Sequence, residues 1–306
     1  MANVLAVFQE SQDSVETPSA APLAEIPQPS FLLRHQFLIY RLFSLSGIVP
    51  IGGYMTIHLL TNATILDSVS TFQTQVDRIH SLGIVLPLVE WTFIFLPILF
   101  HATVGWFIIS GAVPNTSQYR YANNVRYVLQ RGTGIIAFFY ILFHVLHLHH
   151  LGSALGGGKF NPEQAASSAG EAIQAALWIQ AVYAIGVLAC TYHLCNGLWT
   201  AGITWGVWTS PSAQRRANVI SVVAGVFLAT VGLNALWGFS LVNTDKARIV
   251  EQRMEHERLR ILGEADVAKE SASATGGANL AATAATPTDE TSAKQDKSPT
   301  EAGKNP

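Results

Sequence analysis

"RGTGIIAFFYILFHVLHLHHL", Arg131–Leu151, is apolar for most of its length and ends in four histidines. It has the roughly 20 residues that a helix needs to cross the hydrocarbon of a bilayer. His144 lies within the run, His147 one turn further on, and His149 and His150 at its end. An imidazole inside a bilayer is costly and usually faces a cavity, a cofactor or a partner group. Reading this stretch as a membrane span therefore raises the question of what its histidines hold.

The rest of the chain supports a membrane reading. Only 12% of its 306 residues are charged and 49% are hydrophobic, whereas a soluble domain carries about 25% charged residues. The formal net charge of -2 leaves no basic surplus for nucleic acid. Cys190 and Cys195 both lie in an apolar run, which argues against a disulfide framework or a CxxC zinc or redox site. Four further apolar segments, at 37–62, 84–112, 172–208 and 217–241, are also long enough to span. The segment 172–208 is long enough to tilt or to project beyond the bilayer, and Trp205 and Trp208 near its end read as interfacial belt residues.

Outside the spans the composition changes. Residues 1–33 are polar and proline-rich, lack the basic and apolar regions of a signal peptide, and read as a disordered tail. Residues 242–263 are charged with both signs interleaved and read as a surface helix. Residues 264–306 are of low complexity and read as a second disordered tail.

Orientation follows from the short loops. Arg34 and Arg41 lie near the start of the first span; Arg120 and Arg126 precede the third, with Arg131 at its start; Arg215 and Arg216 precede the fifth. The alternate loops carry Asp67, Asp77 and Arg78, then Lys159 against Glu163 and Glu171. The positive-inside rule puts the N-terminus in the cytoplasm and the C-terminus outside.

Depth then sorts the histidines. Of ten, His35, His80 and His256 lie outside the spans. At 1.5 Å per residue, His101 and His193 lie roughly 25–30 Å from the outer edge, and His144 roughly 18–20 Å from the inner edge. His58 is near the outer end of the first span. His101 and His193 thus share the inner half, and His58 and His144 the outer half. One histidine on each of four helices, in two level pairs, suits two stacked bis-histidine haems, whose filled axial positions leave electron transfer as their chemistry. His147 is the rival to His144, one turn outward and about 60° round the helix. His149 and His150 sit where water can solvate them.

These residues resemble a known family. "RLFSLSGIVPIGGYMTIHLLTN", "PILFHATVGWFI", "RGTGIIAFFYILFHV" and "HLCNGLWTAGITWG" are similar to the histidine-bearing segments of the single-subunit, five-helix dihaem cytochrome b anchors of succinate dehydrogenase and fumarate reductase. The likeness covers roughly residues 34–241. It implies an all-α membrane protein, a bundle of five transmembrane helices enclosing two stacked b haems. His58 and His144 would be the axial iron ligands of the outer haem, and His101 and His193 those of the inner haem. The chain would anchor a flavoprotein subunit and an iron-sulfur subunit at the cytoplasmic face of the inner (cytoplasmic) membrane. It would pass electrons between them and a quinone, menaquinone or ubiquinone, in the respiratory chain. It would not act on succinate itself: it has neither a dinucleotide fingerprint nor a cysteine cluster for iron-sulfur.

Glu90, near the outer end of the second span, and His147 are candidates for a quinone or proton path; Glu90 reads equally as a solvated interfacial group. The basic loops read equally as docking surfaces, as partners for haem propionates, or as ordinary positive-inside residues. Gly47, Gly52, Gly53, Gly105, Gly134 and Gly197 suit either a macrocycle or close helix packing. Two other readings compete: a b-type anchor of a formate dehydrogenase or hydrogenase, and a transporter that uses its histidines for protons.

Overall fold

The computed structural model describes residues 31–111, 122–155 and 159–284. Among these residues the regular structure is helical throughout, with no strand. Among the described residues five helices are long and apolar enough to cross a membrane: α1 (Arg34–Leu66), α3 (Gly83–Ser110), α4 (Asn124–Leu151), α6 (Leu177–Thr204) and α7 (Pro211–Leu241). Two short helices, α2 (Val69–His80) and α5 (Ala165–Gln174), sit in the connections, and α8 (Thr244–Ala284) follows the last span. The protein is an integral membrane helical bundle. Arg120 and the tails at 1–30 and 285–306 lie outside the described residues.

The spans pack in a simple order: α4 against α6, α6 against α7, α7 against α1, and α1 against α3. α6 is the central helix and buries Ile179, Tyr183, Val187, Asn196 and Ala201 among others. α3 contributes no buried residue. Small residues set the closest approaches, as in other membrane bundles. A Cβ at Gly232 of α7 would lie 2.6 Å from Val187 Cγ1, so only glycine lets α7 and α6 meet there. Gly186 plays the same part beneath the Tyr140 ring.

Three of the spans widen locally into π turns, at Gly47–Gly52, Trp91–Phe95 and His147–Leu151. The first contains Pro50, whose ring nitrogen cannot donate to the carbonyl one turn back, so a regular α-helix cannot continue through it. Such widened turns often mark functional sites, and each of these lies within about three turns of a candidate histidine.

The apolar run at 172–208 is not one helix. Residues 172–174 belong to α5, and the chain breaks at Ala176, whose backbone is extended (φ −159°, ψ 148°). The break is held by side chains: Gln174 Nε2 donates to the carbonyls of Phe239 and Val242, each at 2.8 Å. At the other end of α6, Gly206 (φ 71°) reverses the chain and Trp208 folds back over Gly202, its Nε1 donating to Trp199 O at 2.9 Å. Trp205, by contrast, stays exposed, with Arg41 over its ring.

α2, α5 and the start of α8 form a cap over one end of the bundle. Its core joins Phe72 and Val76, Ala166 and Ile173, and Ala247 to Ile65, Tyr183 and Phe239 of the spans. Glu251, in the charged segment expected to be a surface helix, is fully buried. Its Oε1 accepts from the backbone N–H groups of Ala166 (2.6 Å) and Ser167 (3.1 Å), and its Oε2 accepts from Ser167 Oγ (2.6 Å). A carboxylate at a helix N-terminus satisfies orphan donors and complements the dipole. Arg248 pairs with Glu171 beside it. α8 continues past residue 263, where composition suggests that a disordered tail begins, and is helical to Ala284.

Candidate functional site

The histidine on α1 faces the one on α4, and the histidine on α3 faces the one on α6. His58 and His144 have ring centroids 5.8 Å apart with planes at 78°. His101 and His193 have centroids 6.2 Å apart with planes at 89°. These are the two pairs that depth along the spans picks out.

Behind the His101–His193 pair the second ring nitrogens are committed. His101 Nδ1 is 3.0 Å from Phe43 O, and His193 Nδ1 is 3.0 Å from Gln130 O. A carbonyl only accepts, so each Nδ1 carries the proton and each Nε2 presents a lone pair. This is the arrangement in which a histidine is oriented as a metal ligand. Phe43 also stacks on His101 at 4.3 Å. Glycine makes room for both rings. A Cβ at Gly47 would lie 2.5 Å from His101 Cε1, and one at Gly134 would lie 2.8 Å from His193 Cε1. Two of the six glycines that suit a macrocycle or close packing therefore seat the histidines. Gly53 has nothing within 4 Å of its notional Cβ.

The His58–His144 pair has a more aromatic setting. Tyr54 stacks on His58 at 5.6 Å, and Tyr140 and Tyr183 pack on His144 at 5.9 and 5.5 Å. His144 Nδ1 is buried without a hydrogen-bond partner. A buried imidazole nitrogen left unmatched is unusual and calls for an explanation.

The rest of the "FHVLHLHH" cluster separates by environment. His147 is fully buried: its Nδ1 lies 2.9 Å from Tyr183 Oη, its ring stacks on Phe143 at 5.2 Å, and its Nε2 has no partner. It is thus deeper in packing than its position one turn outward suggests, because the cap covers that end of α4 and α6. His149 and His150 are exposed. Glu90 is half-buried, at the end of the short helical stretch Leu86–Glu90.

Arg126 departs from the reading of a loop cation. It is half-buried, with its guanidinium 3.8 Å from the Trp199 ring centre and bonded to Asn196 and Asn218. Its position at the start of a span does not reveal this.

The donor set fits a haem. With metal–nitrogen bonds of about 2 Å on either side, two imidazoles sharing one metal ion have ring centres roughly 6 Å apart, as in both pairs here. Among the described residues no three His, Cys, Asp or Glu side chains converge as they would around a protein-only metal ion. A facing pair of imidazoles would instead suit a haem held by two histidines.

Five membrane-length helices that bring imidazoles together in facing pairs define a helical bundle of the membrane cytochrome b kind. The family model described as succinate dehydrogenase/fumarate reductase transmembrane subunit matches residues 112–233, which include His144 and His193. The chain is 33% identical over 204 residues to the succinate dehydrogenase cytochrome b558 subunit of Bacillus subtilis (strain 168), a match covering 67% of this chain and 97% of that one. The chain belongs to the family of cytochrome b membrane-anchor subunits of succinate dehydrogenase and fumarate reductase.

Proposed function

We propose that this membrane anchor carries electrons between an iron-sulfur subunit and membrane quinone by way of two b haems, one held by His101 and His193 and the other by His58 and His144. The observation that carries the reading is the pair of facing imidazole couples on four separate helices. A b haem held between each couple would supply reversible one-electron chemistry.

The chain's own residues do the rest. Phe43 O and Gln130 O hold the protons of His101 and His193 on Nδ1 and direct Nε2 inward. Gly47 and Gly134 let those rings lie against the opposite helix. Tyr54, Tyr140 and Tyr183 wall the His58–His144 couple, and the cap of α2, α5 and α8 shields that end of the bundle from water. By the positive-inside rule the capped end faces outward and the His101–His193 couple lies toward the cytoplasm. A flavoprotein and an iron-sulfur subunit dock at that inner face of the inner (cytoplasmic) membrane. Quinone exchanges electrons at the outer couple, with Glu90 and His147, toward the outer ends of their spans, as ionisable groups for its protons.

Family membership favours this reading over an anchor of formate dehydrogenase or hydrogenase type and over a haem-free transporter. The test is purification through a tag on this chain. A b-type alpha band in the reduced-minus-oxidised spectrum, with a flavin-containing and an iron-sulfur subunit in the same fraction, is the expected result. A chain that purifies in its membrane without that band and without those subunits contradicts the proposal.

A further inference from the structure

The two couples differ in what stands behind them. A chain of side-chain hydrogen bonds ends on His193. Arg126 Nε donates to Asn196 Oδ1 at 2.8 Å, and Arg126 Nη1 donates to Asn218 Oδ1 at 2.7 Å. Asn196 Nδ2 donates to Gln130 Oε1 at 2.7 Å. Gln130 Nε2 in turn lies 3.1 Å from His193 O and 3.2 Å from His193 Nδ1. Asn196 is buried, so its amide has few alternatives to these partners.

The polarity of this chain is set at both ends: the guanidinium of Arg126 only donates, and the carbonyl of His193 only accepts. Asn196 must therefore turn its oxygen to Arg126 and its NH2 to Gln130. Gln130 must then accept through Oε1, which leaves its NH2 toward His193. In that orientation Gln130 donates to His193 O but cannot accept from the His193 Nδ1–H. The Nδ1 proton is left with one acceptor, the carbonyl of Gln130. Were the Gln130 amide reversed, Oε1 would be a second acceptor at the same proton. The imidazole would gain anionic character and become a more basic ligand. Reversing Gln130 alone sets its NH2 against that of Asn196, reversing both sets the Asn196 NH2 against a guanidinium, and either sets Gln130 Oε1 against the His193 carbonyl.

We propose that Arg126 is a positioning residue that, through Asn196 and together with the His193 carbonyl, holds the amide orientation of Gln130 and thereby limits the basicity of His193 as an iron ligand. This rests on His193 being a ligand of the inner haem. Arg126 sits at the start of α4, Asn196 one turn beyond His193 on α6, and Asn218 on α7, so three spans cooperate in setting one ring.

The test is redox titration of both b components in the intact complex, with their low-spin EPR signals recorded alongside. Asn196→Leu cuts the link while keeping the Arg126 charge and leaves the Gln130 amide held by the His193 carbonyl alone. The expected result is a shift of the inner component to lower potential and a change in its EPR signal, with the outer component unmoved. In a Gln130→Met background the same substitution should add nothing, because the amide it releases is gone. If Asn196→Leu does not assemble, Arg126→Gln is read in the same way. It should lower the inner potential, and by less in the Gln130→Met background. The proposal is overturned if the inner component stays at its parent potential and signal, if both components move together, or if the shift persists in full without Gln130. A parent complex with no component that His193→Ala removes would instead refute the ligand assignment beneath it.

Discussion

The rings of His101 and His193 meet edge to face across two spans, with centroids 6.2 Å apart and planes at 89°. The His58 and His144 planes stand at 78°. When the two axial imidazole planes on one iron are near perpendicular, two of its d orbitals are nearly degenerate and the ferric low-spin signal is strongly anisotropic. Both b components should therefore show single, widely displaced low-field EPR features. Ordinary rhombic low-spin spectra would show that the planes are closer to parallel than in this structure.

Removing one imidazole should act on one component. His193→Ala and His101→Ala are each expected to abolish the same b signal, since they face each other. His144→Ala is expected to abolish the other. His149→Ala and His150→Ala should spare both, because those rings are exposed and outside the couples. Low-temperature optical spectra of the single variants distinguish these outcomes. Loss of a component in His147→Ala with its retention in His144→Ala would overturn the assignment on α4.

Gly134 offers a finer probe. A Cβ there would lie 2.8 Å from His193 Cε1 and 3.1 Å from its Nδ1. Overpacking of this kind typically costs about 1–3 kcal/mol. Gly134→Ala should therefore weaken or shift the inner component while leaving the outer one intact. Gly132→Ala, two residues away, has nothing within 4 Å of its Cβ and should leave both unchanged. Titration of each component in membranes reads the difference. Equal effects of the two substitutions would mean that the close seat beneath His193 is not used.

Much of this was legible in the sequence because a bilayer imposes simple rules. A span must be long and apolar, and an imidazole within it stands out, so the spans and the four facing histidines are visible in the pattern of residues. The pairing was visible because depth scales with residue number along a helix. What was hidden has equally physical causes. The break at Ala176 lies in an unbroken apolar run and depends on Gln174 reaching the end of α7. Arg126 reads as a loop cation because its partners, Asn196 and Asn218, are remote in sequence. Glu251 reads as one more charge in a mixed run, since nothing local shows that α5 presents its N-terminus to it. His147 looks like an interfacial group until the cap that buries it is in place.

Glu251 sets the stability of that cap. Hydrogen bonds to a charged group contribute roughly 1.5–3 kcal/mol, and Glu251→Ala removes one acceptor from three donors at once. The expected result is faster amide hydrogen exchange at Ala166 and Ser167 and earlier proteolytic release of α8, with the five spans unaffected. Unchanged exchange at those two amides would show that α5 is held by its apolar contacts alone.

The central claim is that the four histidines hold two haems in one chain. The most direct measurement is the haem content of the purified complex by pyridine haemochrome, divided by the molar amount of this subunit. The account predicts a ratio of about two, as one bis-histidine couple accommodates one haem. A ratio near one would contradict it.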